Sequence, residues 1–285
     1  MSHTKNNLSR KNVVNYYESL ESRLGYTFLT WDTKHFGYYP PKKPNITEKK
    51  AQELMIDLLI SKLQLSKNNV VLDAGCGRGT TSCYIAKKHG INIIGIDIVP
   101  FELKIAREKS EEFNLNNKVR FLRRDYSDTK FPKNYFDKVF TLETLVHSPD
   151  LKKTLHEFRR ILKPKGRLVL FEYSKSHPEK FNHWEQKMID LINIGSSMTS
   201  FQKIYHDTFA KDISKVGFKI VSDEQITRNM LPSLKRFYKY AILPYLFIKF
   251  FKLQKFFINT TAGVEFYRMM KKGLIQYRVI VAEKI

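Results

Sequence analysis

The most constraining stretch of the chain is Val70-Val71-Leu72-Asp73-Ala74-Gly75-Cys76-Gly77-Arg78-Gly79. Its aliphatic start predicts a short buried strand, its glycines a tight turn, and residues 80–89 a helix. Glycines at such a turn let the backbone approach a ligand closely, and the helix that follows offers free N–H groups. A dinucleotide loop would carry Gly or Ala where this chain has Thr80, and a pyrophosphate disfavours a neighbouring carboxylate such as Asp73. A cationic ligand or a free amino group suits that carboxylate.

The strand–helix rhythm continues beyond the loop. INIIGID (91–97) predicts a second strand, 101–114 a helix, VRFLRRD (119–125) a third strand and FDKVFTLE (136–143) a fourth. Residues 151–162 predict a helix stopped by Lys163-Pro164-Lys165-Gly166, and RLVLFEY (167–173) a fifth strand. The fold class this implies is α/β, a Rossmann-like, doubly wound, mainly parallel sheet with helices on both faces. Before it, Lys5 to Lys11 is polar and expected to fray. Val13, Val14, Tyr17 and Leu20 then share one helix face, an aromatic loop runs from Trp31 to Tyr39, and Thr47 caps a helix whose apolar face carries Leu54, Ile56, Leu58, Leu59 and Leu63. After Tyr173 the alternation stops. Residues 177–210 read as helix and loop, 209–216 as a helix, 218–226 as a strand, 229–270 as helices interrupted at Pro232 and Pro244, and 277–284 as a last strand.

With Asp73, Gly75, Gly77 and Gly79 matching an acid followed by Gly-x-Gly-x-Gly, the chain resembles the class I S-adenosylmethionine-dependent methyltransferases over roughly residues 10–175. The resemblance implies that Asp73 and the glycine loop hold the amino-acid part of the cofactor. It implies that Asp97, with Ile98 beside it, binds the ribose, and that Asp125 and Tyr126 meet the adenine. Glu143-Thr144-Leu145-Val146-His147 resembles the corresponding segment of the sterol, tocopherol and isoprenoid branch. Tyr16, Tyr17 and His35-Phe36-Gly37-Tyr38-Tyr39 resemble its N-terminal segment, which folds over the cofactor. On that basis Tyr16, Tyr17, Tyr38, Asp73, Gly75, Gly77, Gly79, Asp97, Ile98, Asp125, Tyr126, Glu143 and His147 are expected around S-adenosyl-L-methionine.

The carboxyl end of the fourth strand is where a doubly wound sheet places its ligand crevice. Glu143 and His147 therefore belong near the transferred methyl group, and Glu172 and Tyr173 at the end of the next strand join them as catalytic candidates. An O- or N-acceptor would need a base, for which Glu143 or His147 is placed; an alkene acceptor would need aromatic faces for a carbocation and a base afterwards. For His147 a hydrogen-bonding role without proton transfer has equal standing. His183 and His206 read as structural or exposed. No His/Cys/Asp grouping has metal-ligand spacing, so no metal is expected.

Charge decides less than it first suggests. The chain has 285 residues, 50 Lys+Arg and 28 Asp+Glu, a net charge of +22. Residues 228–285 hold 12 of the basic and 2 of the acidic residues, and Asn229 to Ile258 has six basic residues and no acid. That segment is also dense in Phe, Tyr, Leu and Ile. Its longest uncharged run, Tyr240 to Ile248, is nine residues, too short for a spanning helix, which needs about 20. Lys249, Lys252 and Lys255 fall on one stripe of a helix and Phe247, Phe250, Phe251 and Ile258 on the other. This suits either a packed lid helix or one lying on an anionic membrane surface.

Together these readings predict an N-terminal helical cover, residues 1–69, and a catalytic domain, 70–285, with a lid at about 177–275. They predict an enzyme that methylates a small hydrophobic acceptor, a lipid or isoprenoid, C-methylation of an alkene included. The alternatives are a small-molecule O- or N-methyltransferase, an RNA methyltransferase prompted by the charge, and a cofactor-binding protein without turnover. The RNA reading lacks an Asn/Asp-Pro-Pro-Tyr-type motif after strand four. Two cysteines, Cys76 and Cys83, cannot make a disulfide framework, and the polar N-terminus carries no signal core. A cytoplasmic protein, peripheral to membrane at most, is expected, and exposed lid aromatics would allow a homo-oligomer.

Overall fold

The computed structural model describes residues 2–23, 33–43 and 45–285. Trp31, at the start of the expected aromatic loop, lies outside them. Among the described residues seven strands form one sheet in the order β3-β2-β1-β4-β5-β7-β6. They are β1 (Val70–Ala74), β2 (Asn92–Asp97), β3 (Val119–Arg123), β4 (Phe136–Leu142), β5 (Leu162–Lys175), β6 (Phe218–Gln225) and β7 (Ile275–Lys284). The first five are parallel, and β7 runs antiparallel to both β5 and β6. The order reverses direction at β1, between β2 and β4, which opens a crevice at the carboxyl ends of these strands. β1 has four of its five residues buried, the pattern of a strand covered on both faces.

The helices are α1 (Ser2–Glu18), α2 (Glu48–Leu63), α3 (Thr80–His89), α4 (Pro100–Glu112), α5 (Leu151–Ile161), α6 (His183–Gly195), α7 (Phe209–Lys215), α8 (Thr227–Phe250) and α9 (Ile258–Lys271). Thr47 caps α2 through its side chain, which accepts from the Lys50 N–H, one of the orphan donors of a helix start. Ile56, Leu59 and Leu63 of α2 are buried as expected, with Met55 beside them. Val13 of α1 is buried but Leu20 is exposed, and α1 is already helical from Ser2 rather than frayed through Lys11.

The C-terminal third departs from the sequence reading in two places. Helix α8 runs unbroken through Pro232 and Pro244. Proline removes one ladder hydrogen bond; Pro244 is on the exposed side, where water can serve the freed carbonyl. The expected lysine stripe does not form. Helix α8 ends at Phe250, and Lys252 sits at φ +57° in the turn that leads to α9. No helix among the described residues is long and apolar enough to cross a membrane.

The main core joins the sheet to the flanking helices and reaches Leu234 on α8 and Phe266 on α9. Beyond that point Ala241, Tyr245 and Val264 form a second, smaller core between α8 and α9, bridged to the first by Phe237.

Candidate active site

The turn after β1 is bent by backbone positions that only glycine tolerates well. Gly75 sits at φ +92°, and a Cβ there would lie 2.0 Å from the Thr144 Oγ1. The first loop is therefore pressed against the segment that follows β4. Gly79 sits at φ +71° and packs against Phe121 and Ala106, so its role here is close helix–sheet packing. The Asp97 carboxylate ties the crevice together: one oxygen accepts from the Gly77 N–H and the other from the Val99 N–H, both at 2.9 Å.

A cleft opens over these loops. Asp73, Gly75, Gly77, Asp97, Ile98, Asp125, Tyr126, Glu143, His147 and Tyr17 all line it. Asp73 is buried, accepts from the Ser82 hydroxyl at 2.7 Å, and burial raises its pKa to about 7. Burial likewise raises that of Asp97, against the pull of its two backbone donors. Such carboxylates gain most from a ligand that brings positive charge or hydroxyl donors. Tyr126 donates its hydroxyl to the Thr144 carbonyl at 3.0 Å.

Sequence reasoning missed three contributors, all remote in the chain. Arg10 of α1 makes an ion pair with Asp125 across the cavity mouth. Lys34 is 2.8 Å from the Glu102 carboxylate and 4.0 Å from the centre of the Tyr17 ring. Burial lowers its pKa, with Glu102 opposing. Tyr277 of β7 reaches Glu143. No local motif marks these residues; only the packing of α1, the 33–39 segment and β7 brings them in.

A second cavity adjoins the first at Tyr17, Lys34, His35, Glu143 and His147, which line both. Its walls are mainly apolar and include Val146, Ile192, Met198, Leu234, Phe237 and Phe266. Tyr16 and Tyr173 also face this second cavity, and neither lines the first.

Glu143 stands at the junction with φ +58°, a strained conformation for a residue with a side chain. Three donors hold it there. Its Oε1 accepts from the Phe36 N–H at 2.9 Å and the Tyr277 hydroxyl at 3.0 Å, and its Oε2 from the Tyr173 hydroxyl at 2.6 Å. Burial raises its pKa to about 7. His147 is buried, and that burial lowers its pKa to about 4. A carbonyl only accepts, so the 3.2 Å contact with the Ser197 oxygen places the proton on Nδ1. Nε2 then accepts from the Tyr17 hydroxyl at 2.9 Å.

Three expected site residues line neither cavity: Gly79, packed against Phe121 and Ala106, Glu172 and Tyr38. Glu172 lines neither cavity; its Oε1 accepts from the Thr144 and Leu145 N–H groups, so it holds the loop that carries Glu143 and His147. Tyr38 lines neither cavity and packs at the edge of the main core. Nor does His206, which pairs with Ser174, or the exposed His183. Among the described residues no three His, Cys, Asp or Glu side chains are grouped to hold a metal.

A methyltransferase-domain family model matches residues 65–231. The chain belongs to the S-adenosylmethionine-dependent methyltransferases. Among the relatives of this methyltransferase is the S-adenosyl-L-methionine-dependent Diels-Alderase iccD of Talaromyces variabilis, 32% identical over 272 residues, 93% of this chain and 92% of that one. The sterol 24-C-methyltransferase of Pneumocystis carinii (strain B80) is 32% identical over 174 residues, 59% of this chain but 44% of its own length. The cyclopropane synthase MmaA2 from Mycobacterium tuberculosis shares the fold, with a TM-score of 0.81 at 16% identity over 96% of this chain and 98% of that one. The methyltransferase is an enzyme whose cofactor is S-adenosyl-L-methionine. The first cavity fits that group chemically: an acid-rich, glycine-walled site suits a ligand with cationic and hydroxyl groups.

Proposed function

We propose that the enzyme transfers a methyl group to a small hydrophobic acceptor, a lipid or isoprenoid, held in the second cavity. The observation that carries this reading is the apolar cavity joined to the acid-lined one through Tyr17, Glu143 and His147. Asp73 would receive the cofactor's amino group, Asp97 its ribose and Asp125 with Tyr126 its adenine. When bound, the cofactor supplies an electrophilic methyl on a sulfonium, and the protein contributes position and proton handling.

On this reading Glu143 is the base. Its pKa of about 7 keeps a substantial ionised fraction at neutral pH, and Tyr173 and Tyr277 hold it at the cavity wall. The rings of Tyr16, Tyr17, Tyr173 and Phe266 face the same cavity and suit a carbocation formed by C-methylation of an alkene. His147 stays neutral and orients Tyr17. Residues 1–69 serve as the cover and 70–285 as the catalytic domain, whose 177–275 stretch supplies the lid around strand β6. An acceptor of this kind resides in lipid, and contact with an anionic membrane belongs to the same reading.

A second reading is favoured by one observation. A relative that matches nearly the whole chain is named as a Diels-Alderase. Here the second cavity would fold a polyene for cyclisation, and no methyl would leave the cofactor. Incubation with methyl-labelled S-adenosylmethionine and a host lipid extract separates the two. Label in the organic phase supports methyl transfer; label only in RNA or protein contradicts it. A cyclised product formed with the cofactor intact supports the second reading.

A further inference from the structure

The outer half of α8 and the turn that follows it form an arm. From Ala241 outward its apolar core is the small Ala241–Tyr245–Val264 cluster, joined to the core of the sheet through Phe237, and Lys249 lies 4.6 Å over the Trp184 ring. Ala241, Tyr245 and Ile248 are the buried positions of this half, spaced four and three apart as one helix face requires. The other faces carry Leu243 (76% exposed), Phe247 (62%) and Phe250 (80%), and the turn adds Phe251 (52%) and Phe256 (64%). Phenylalanines and leucines this exposed and this contiguous mark an interaction surface rather than ordinary scatter.

The charge around them selects the partner. Lys239, Lys249, Lys252 and Lys255 are exposed among these apolar side chains, and no acid occurs between Glu224 and Glu265. An exposed apolar tip ringed by lysines complements an anionic lipid surface. A second copy of the chain suits it poorly, because an isologous contact would set the same lysines against each other. The base of the same hairpin walls the second cavity, through Leu234 and Phe237 on α8 and Ala262 and Phe266 on α9.

We infer that the tip of the α8–α9 hairpin docks on anionic membrane and presents the second cavity to a lipid-borne acceptor. The delivery part rests on the proposed hydrophobic acceptor; the docking part does not.

The test is flotation with vesicles of phosphatidylglycerol and of phosphatidylcholine. Three full-length proteins are compared: wild type, the triple variant Phe250→Ser, Phe251→Ser, Phe256→Ser, and the double variant Lys252→Glu, Lys255→Glu. All the substituted side chains are exposed, and circular dichroism confirms that each variant folds. The wild type is expected to float with phosphatidylglycerol and weakly with phosphatidylcholine. Each variant is expected to lose binding by on the order of tenfold. Methyl transfer to a detergent-dispersed extract should be unchanged in both variants, and transfer from vesicles should fall with binding. Equal flotation of all three proteins, or none by wild type, overturns the docking. So does a lipid-free dimer, seen by light scattering, that the Phe variants dissociate, since the tip would then be an interface between copies. If label never reaches lipid, the proposed function fails while flotation still decides the docking.

Discussion

The Tyr17 hydroxyl donates to His147 Nε2 at 2.9 Å, while His147 Nδ1 is committed to the Ser197 carbonyl. Both nitrogens are occupied and burial holds the ring neutral, with a pKa of about 4. A pH dependence near neutrality therefore belongs to another group, and Glu143, at about 7, is placed to supply it. The rate is expected to rise with pH through about 7 as Glu143 ionises. Glu143→Gln should abolish that limb and lower kcat by about 10²- to 10⁴-fold. A limb that survives in Glu143→Gln but disappears in His147→Gln would transfer the base role to His147.

Gly75 tests the first loop. Gly75→Ala places a methyl on the Thr144 side chain, at a φ of +92° that side chains avoid. A loss of roughly 1–3 kcal/mol in stability is expected, together with loss of cofactor binding by calorimetry. Combining it with Thr144→Gly relieves the clash but not the backbone strain, so recovery should be partial. Full cofactor affinity in Gly75→Ala would show that the loop does not approach the ligand.

Asp97 combines two jobs, since its oxygens hold the Gly77 and Val99 N–H groups and face the first cavity. Asp97→Ala removes charged acceptors worth about 1.5–3 kcal/mol each. Cofactor affinity should fall roughly tenfold to a hundredfold. An unchanged Kd would place the ribose elsewhere.

How much of this was legible in the chain follows from distance along it. The Asp73–Gly79 turn, the Asp97 and Asp125 strand ends and the Glu143–His147 segment are local patterns, in which a strand, a turn and a helix start within a few residues dictate the geometry. Arg10, Lys34 and Tyr277 enter the site only through tertiary packing, and nothing in their own neighbourhoods marks them. Glu172 read as catalytic because it ends strand five, yet strand alternation points its carboxyl at the Thr144 and Leu145 N–H groups. The prolines at 232 and 244 suggested breaks, because sequence alone does not say which helix face meets water.

Glu172 gives a stability test with a definite sign. Burial raises its pKa from 4.5 to about 7, so the folded state keeps a proton that the unfolded state loses. Its contribution to stability falls as pH rises between those values. Glu172→Gln keeps an acceptor for the two N–H groups and cannot ionise. Urea unfolding should show it matching wild type near pH 4.5 and gaining up to about 3 kcal/mol at pH 8. Glu172→Ala should instead cost about 1–3 kcal/mol near pH 4.5, because two buried N–H groups lose their partner, and that cost should be largely offset at pH 8, where it too escapes the ionisation penalty. A Gln variant with the same pH dependence as wild type would show that Glu172 does not titrate in this range.

The proposed methyl transfer to a hydrophobic acceptor links the acid-lined cleft to the apolar cavity. Its most direct test counts two products in one reaction: labelled methyl in the organic phase of a lipid extract and S-adenosylhomocysteine in the aqueous phase. The two are expected to rise one for one with wild type and to fall together in Glu143→Gln. Conversion of a lipid or polyene with no S-adenosylhomocysteine released would contradict it.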